Sequence, residues 1–238
     1  MSNERKPLEA MILVGGKGTR LQNMVSDRPK PLAEVAGRPF VEWLVIALQA
    51  QGVRRLIFCT GYMSEVIEAH FGDGRQWGME ILYSRDPIPL GTAGAIRYAL
   101  GQVRSDRFLV RNGDSYCRVN VSSLEEAHVA RGACASLWLV PVDDCRRYGW
   151  VEIGEDGAVQ AFHEKPSEKH DGLISAGVYL LEREVVESIP EGLSISIETD
   201  FFPRLIGNGL YAVVGKGPFL DIGIPEAYIA AQKFFEKD

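Results

Sequence analysis

Residues 8–14 form an almost unbroken apolar run, Leu8-Glu9-Ala10-Met11-Ile12-Leu13-Val14, that stops at Gly15-Gly16. A run this short without polar alternation predicts a strand buried on both faces of a parallel sheet. Over 40–51 the apolar positions are 40, 41, 43, 44, 47 and 48, a helical stripe ending at Gly52, which can take the left-handed conformation at a helix C-terminus. The pattern then predicts a strand at 55–59, a helix at 64–71 and a strand at 79–83. A helix over 92–100, capped by Thr92 and closed by Gly101, leads to a strand at 107–110 that runs into Asn112-Gly113-Asp114.

The second half changes character. Residues 133–140, 149–153, 158–163 and 173–181 are β-rich with few helices between them, and some of them are expected to extend the sheet in antiparallel sense. Residues 196–206 read as helix, 211–214 and 219–220 as strands, and 225–235 as a closing helix with Pro225 in its first turn. The fold class is therefore α/β: a Rossmann-like, doubly wound, mainly parallel sheet with antiparallel additions in the second half. Right-handed crossovers would gather its loops along one edge. No linker, internal repeat or charge block divides the chain, so a single domain is expected over residues 1–238.

Composition removes several alternatives. At 46% hydrophobic and 24% charged residues the chain can bury a full core. Its formal charge of −6 leaves no basic excess for nucleic acid or an anionic membrane surface. The longest apolar stretches, 10–14 and 133–142, fall well short of the ~18 residues of a spanning helix. No apolar segment follows the polar start, so a cytoplasmic protein is expected. Cys59, Cys117, Cys134 and Cys145 have neither disulfide-framework nor zinc spacing and read as reduced, mostly buried thiols.

The chemistry begins at Gly15-Gly16-Lys17-Gly18-Thr19-Arg20, where backbone N–H groups free of side-chain cover can cradle phosphate oxygens. The spacing is not that of a Walker A loop, and Leu21 stands where a dinucleotide fingerprint needs its third glycine. Pro29-Lys30-Pro31 follows, pinning a lysine between two rigid residues. Together, G-G-x-G-T-R-L and P-K-P-L resemble the opening of the sugar-1-phosphate nucleotidylyltransferases. The resemblance continues in family order. Leu90-Gly91-Thr92-Ala93-Gly94-Ala95 is similar to the nucleoside loop and Asn112-Gly113-Asp114 to the first metal-binding aspartate. Phe162-His163-Glu164-Lys165 is similar to the sugar-phosphate clamp, Ser175-Ala176-Gly177-Val178-Tyr179 to the strand after it, and Asp221-Ile222-Gly223 to the second metal aspartate. Within the family, residues 20–31, Tyr148-Gly149, 196–202 and 219–226 are more like the D-glycero-α-D-manno-heptose 1-phosphate guanylyltransferase branch. No hexapeptide repeat follows, so the β-helix that many members add is not expected.

The resemblance implies in-line attack of a sugar 1-phosphate oxygen on the α-phosphorus of GTP, releasing pyrophosphate. A phosphate monoester is already largely dianionic at neutral pH, so the site needs positive charge rather than a general base. Arg20 and Lys30 are the implied catalytic cations, with Lys17 a weaker candidate, and Lys165 would hold the sugar phosphate. Gly15, Gly16, Gly18, Thr19, Gly91 and Thr92 would bind the nucleotide. Asp114 and Asp221 would share one Mg²⁺, and Asn112, Gly149, Glu164 and Gly177 would lie on the sugar-phosphate side. His163 reads as structural. Asp86 stands five residues before Gly91, where thymidylyl relatives tend to carry glutamine. A carboxylate there can accept from guanine N1–H and N2–H₂ and repels the oxygen acceptors of uracil, although Asp86-Pro87 also reads as a plain loop start. A hexose 1-phosphate such as mannose 1-phosphate, UTP or CTP in place of GTP, and a catalytically inactive sensing subunit remain the alternatives, and the family implies a homodimer.

Overall fold

The structure of the protein is a computed structural model, and it describes residues 8–16 and 29–235. The first apolar run forms β1 (Glu9–Leu13), whose Ala10, Met11 and Ile12 are fully buried. A short 3-10 turn at Lys30–Leu32 leads into β2 (Glu34–Val35), β3 (Arg38–Pro39) and α1 (Phe40–Ala50). Then come β4 (Arg55–Thr60), α2 (Ser64–Phe71), β5 (Glu80–Arg85), α3 (Gly91–Ala99), β6 (Arg107–Asn112), β7 (Ser115–Cys117) and α4 (Val121–Ala130). The second half supplies β8 (Ala135–Val142), β9 (Trp150–Ile153), β10 (Val159–His163), β11 (Gly172–Glu182), α5 (Arg183–Glu187), β12 (Leu210–Val214), β13 (Phe219–Asp221) and α6 (Pro225–Phe235).

Among the described residues, seven strands form one sheet in the order β12-β8-β11-β6-β1-β4-β5. β1 pairs in parallel with both β4 and β6, so Leu13, Cys59 and Asn112 end at one level. The chain runs from β1 outward through β4 and β5 and then returns to lay β6 on the other side of β1. The reversal makes a switch point, and in open α/β sheets the crevice at the strand ends there receives ligands. Side chains alternate about the sheet: Ala10, Ile12 and Val14 pack with Phe40 and Leu44 of α1, Phe71 of α2 and Phe235 of α6. Met11 faces the other layer, with Ala93 and Ile96 of α3, Val186 of α5 and Phe202. Gly52 takes φ +88° after α1, as its position predicts.

Two expectations are corrected, at residues 196–206 and at Thr92. The antiparallel addition expected in the second half is β11, alone among the described residues of the main sheet; β9 and β10 form a separate hairpin, and β8 and β12 run parallel to β6 and to each other. The cause is α4, which the sequence reading passed over. Asn120 caps it, its side chain accepting from the Ser123 N–H at 2.9 Å, and a strand–helix–strand crossover returns β8 in the direction of β6. Residues 196–206 are not α-helical: a π turn at Ile197–Phe201 gives way to a 3-10 turn at Phe202–Leu205, where Pro203 has no N–H to continue a ladder. Thr92 does not cap α3. It lies inside the first turn and its hydroxyl accepts from the Ile197 N–H at 2.7 Å, while the helix ends at Ala99 and Gly101 falls within a 3-10 turn.

Candidate active site

A cavity of about 720 Å³ opens at the carboxyl ends of β1, β4, β5 and β6. Gly15, Gly16, Lys30, Asp86, Gly91, Thr92, Asn112 and Asp114, all assigned to the site from sequence, line it. The floor is backbone held at close range. The Val14 N–H donates to the Cys59 carbonyl at 2.9 Å and the Gly113 N–H to the Leu13 carbonyl at 2.9 Å. A Cβ at Gly61 would lie 2.9 Å from the Gly15 carbonyl oxygen, and one at Gly113 2.7 Å from that of Leu13, so these strands can converge only without side chains. Lys17, Gly18, Thr19 and Arg20 lie outside the described residues.

The two aspartates assigned to a metal lie on neighbouring backbone although they are far apart in sequence. β13 pairs antiparallel with β7, setting Asp221 opposite Ser115, and the Ile222 N–H donates to the Asp114 carbonyl at 3.0 Å. Each carboxylate faces a cation. The Lys30 ammonium, on a side chain 9% exposed, is 2.7 Å from Asp114 Oδ2. Arg147 Nη2 is 3.8 Å from Asp221 Oδ2, while Asp221 Oδ1 accepts from the Gly223 N–H at 2.7 Å. Among the described residues no three His, Cys, Asp or Glu side chains gather into a metal cluster. Two hard carboxylates on paired backbone, with the remaining shell left to water and phosphate oxygens, fit Mg²⁺, which rarely takes an all-protein cage.

The segment that follows Lys30 is held by α6. Downstream of the lysine, Ala36 sits in the left-handed region at φ +50°, and its N–H donates to Gln232 Oε1 of α6 at 2.7 Å. Gln232 Nε2 and the Tyr228 hydroxyl both donate to the Glu34 carbonyl, at 3.0 and 2.5 Å. α6 therefore grips the β2–β3 hairpin as it leaves the lysine turn.

The end of the cavity assigned to the nucleoside from sequence is closed by Asp86 and the start of α3. The Asp86 N–H donates to the Thr60 carbonyl at 2.9 Å, but its Oδ1 is buried without a partner, and burial pushes its carboxyl up to about 6. An unpaired buried acceptor lining a cavity is suited to a donor brought by a ligand. Gly91, at φ +68°, lies against residue 195: a Cβ there would be 2.5 Å from the Ile195 carbonyl oxygen. That same carbonyl accepts the Ala93 N–H at 2.9 Å, so the start of α3 is partly tied to the 195–197 segment rather than open to an anion.

The sugar-side assignments are divided. Gly177, at φ +67° in a bulge of β11, touches the cavity through Asn112: a Cβ on it would come 2.5 Å from Asn112 Nδ2. Gly149 packs on the end of β10, where a Cβ would lie 2.8 Å from the His163 carbonyl oxygen. Glu164 and Lys165, by contrast, are exposed on the segment leaving β10 and do not line the cavity. His163, read as structural from sequence, is stacked on Trp150 at 3.8 Å between ring centroids and bonded to Glu152. Sequence reasoning overlooked Arg147, Tyr62 and Glu198. Tyr62 lines the cavity just past β4, and the buried Tyr179 hydroxyl beneath the Gly177 bulge donates to Glu198 Oε1 at 2.6 Å. Burial, with the Glu198 charge adding to it, raises Tyr179 well above the usual phenol range. The signal for Tyr62 was its place after a strand next to β1; for Arg147 it was a basic pair directly before Tyr148-Gly149.

A doubly wound sheet with two carboxylates and two cations beside a cavity at its switch point defines a nucleotide-binding enzyme fold. The chain belongs to the nucleotidyl transferase family, whose pattern it matches over residues 9–238. It is 38% identical over 225 residues to mannose-1-phosphate guanylyltransferase of Mycobacterium tuberculosis, covering 93% of this chain and 63% of that one. It is 37% identical over 227 residues to D-glycero-α-D-manno-heptose 1-phosphate guanylyltransferase of Aneurinibacillus thermoaerophilus, covering 95% and 97%. The chain thus spans under two thirds of the mannose relative and almost all of the heptose relative. The crystal structure of HddC from Yersinia pseudotuberculosis superposes with a TM-score of 0.86 at 34% identity, covering 96% of this chain and 99% of the other. That protein has also been solved complexed with GMP-PN.

Proposed function

We propose that this protein transfers a guanylyl group from GTP to D-glycero-α-D-manno-heptose 1-phosphate, forming a GDP-heptose for surface glycan assembly and releasing pyrophosphate. The observation that carries the reading is the convergence of Lys30, Asp114 and Asp221 beside a glycine-floored cavity that also holds the unpaired Asp86 oxygen. Full-length similarity to a heptose guanylyltransferase supports the sugar, and a structural neighbour complexed with GMP-PN supports the guanine nucleotide.

In this reading a sugar-phosphate oxygen attacks the α-phosphorus, and the bond from that phosphorus to the oxygen bridging the β-phosphate breaks, so pyrophosphate leaves with the electron pair. No proton need move. Mg²⁺ held by Asp114 and Asp221 would neutralise phosphate charge and align the reacting groups. Lys30, freed from Asp114, turns to the triphosphate as negative charge builds on the leaving group, and Arg20 joins it there. Gly15, Gly16, Gly18 and Thr19 offer backbone N–H groups to the phosphates, and Gly91 and Thr92 border the nucleoside. Ionised Asp86 accepts from guanine N1–H and N2–H₂. Asn112 and the close-packed Gly177 shape the sugar side, and Glu164, Lys165 and Gly149 close over the sugar from the β9–β10 hairpin. The protein acts in the cytoplasm, where GTP is supplied, as a homodimer.

The test is turnover with Mg²⁺ and inorganic pyrophosphatase, each of GTP, UTP, CTP, ATP and dTTP being offered with a panel of sugar 1-phosphates. GTP with the manno-heptose phosphate should release phosphate fastest. Mannose 1-phosphate is the second reading, carried by the 38% identity to a mannose enzyme, and faster turnover of that sugar would replace the first. Inactivity across the complete panel would move the protein to a sensing role.

A further inference from the structure

Arg147 is absent from the site as read from sequence, yet it is the cation that faces Asp221. Its guanidinium lies 3.8 Å from Asp221 Oδ2 and 5.4 Å from the centre of the Tyr148 ring. Tyr148 in turn packs edge-on against Phe219 at 5.6 Å, and Phe219 opens the short strand that ends in Asp221. The arginine and the carboxylate are thus set by one aromatic contact, and the arginine is not simply a long side chain adrift in solvent. Its neighbour is turned elsewhere: Arg146 is held by Asp144, its Nε within 3.0 Å of both carboxylate oxygens. On the opposite flank Lys30 stands 2.7 Å from Asp114. Each carboxylate therefore has its own cation, from different elements and on different sides.

We propose that Arg147 binds the phosphate of the incoming sugar 1-phosphate, as Lys30 serves the triphosphate; this rests on the nucleotidyl transfer reading above. In the free protein the guanidinium offsets the Asp221 charge. When Asp221 turns to a metal ion, Arg147 is released next to it with its planar fork free, a geometry matched to two phosphate oxygens. Gly149, two residues on, lets the chain close on the His163 carbonyl at the end of β10, which ties the arginine segment to the hairpin that carries Lys165. Arg147 and Lys165 are both exposed and neither lines the cavity itself; Arg147 is singled out because it stands 3.8 Å from Asp221 Oδ2, at the metal edge, where it meets the phosphate while Lys165 covers it from outside.

The experiment is two-substrate kinetics on the full chain with GTP, Mg²⁺ and D-glycero-α-D-manno-heptose 1-phosphate, for wild type, Arg147→Ala, Arg147→Lys and Arg146→Ala. Arg147→Ala should raise the sugar-phosphate KM roughly 10- to 100-fold, the loss of a charge-assisted pair, with the GTP KM within about twofold. Arg147→Lys should recover part of the loss, and Arg146→Ala should match wild type. A sugar-phosphate KM unchanged in Arg147→Ala overturns the proposal. So does an equal rise in the GTP KM, which would put the arginine on the triphosphate, or a fall in kcat alone accompanied by a lower Tm, which would make it structural. A wild type that turns over no sugar 1-phosphate refutes the transfer reading instead. Calorimetric titration with the heptose phosphate then still reads Arg147, and equal affinities in wild type and Arg147→Ala would overturn its role.

Discussion

The nucleotide side and the sugar side of the cavity are built by different means. On the nucleotide side, three parallel strands in register deliver Leu13, Cys59 and Asn112 to one level, and glycines lock the turns that follow. Its geometry is backbone geometry, fixed by a sheet buried on both faces. On the sugar side, β9 and β10 stand as a separate hairpin, and Glu164 and Lys165 extend from it into solvent. The one rigid piece there is the β11 bulge at Gly177, clasped to Asn112. A sheet edge suits the triphosphate of the proposed reaction, whereas an appended hairpin can change its side chains without disturbing the core.

The comparison breaks first at Lys30. Lys30→Ala should lower kcat by about 10³-fold or more, the scale of losing a preorganised charge at the leaving group, with the Tm nearly unchanged because the pair with the half-exposed Asp114 adds little to stability. Steady-state turnover beside thermal unfolding would check it, and near-native turnover would end the catalytic role. Next is Gly177→Ala. A Cβ 2.5 Å from Asn112 Nδ2 at φ +67° should destabilise the fold by about 2 kcal/mol and raise the sugar-phosphate KM more than the GTP KM. Denaturant titration with kinetics reads both, and an unperturbed variant would show that the bulge is not rigid.

Asp86→Gln should cut the preference for GTP over UTP by about tenfold, or 1.4 kcal/mol, measured as the ratio of the two kcat/KM values. A pH series sharpens the point. Burial holds the Asp86 carboxyl near 6, above its ordinary value of 3.8, so the fold gains stability from its protonated form at low pH and loses that gain as pH rises through about 6. Guanine needs the ionised form. The GTP KM should therefore fall as pH rises through about 6 while free-protein stability declines slightly, and Asp86→Asn should flatten both trends. The smallest effect is at Gln232: Gln232→Ala should cost about 1 kcal/mol, lower kcat a fewfold, and be partly rescued by Ala36→Gly, which relieves the strain at φ +50°. Unfolding and turnover of the double variant test that coupling.

The same division explains what could be read from the sequence. The parallel half was legible because each strand is an apolar run that ends in a glycine or an aspartate, and residues 15, 16, 30, 86, 91, 92, 112 and 114 all reach the cavity. α4 was missed because its stripe is weak, with Val121, Leu124 and the buried His128 as its inward positions, and without it the direction of β8 stayed unassigned. The 196–206 segment carried an apolar pattern, but Pro203 and the Asp200 carboxylate, which accepts the Ser196 N–H at 2.8 Å, compete with a continuous ladder. Arg147 could not be separated from Arg146 by residue type, because only three-dimensional packing shows which of two adjacent arginines is already taken by Asp144.

α6 begins four residues after Asp221 and holds Glu34 and Ala36 through Tyr228 and Gln232. One helix thus spans the route from one carboxylate to the hairpin beyond the lysine. Local opening of that helix, far smaller than melting the sheet, would let the Lys30 turn drift away from Asp114. On warming, turnover should fade several degrees before the sheet unfolds, with the ammonium's aim rather than the fold setting the working temperature.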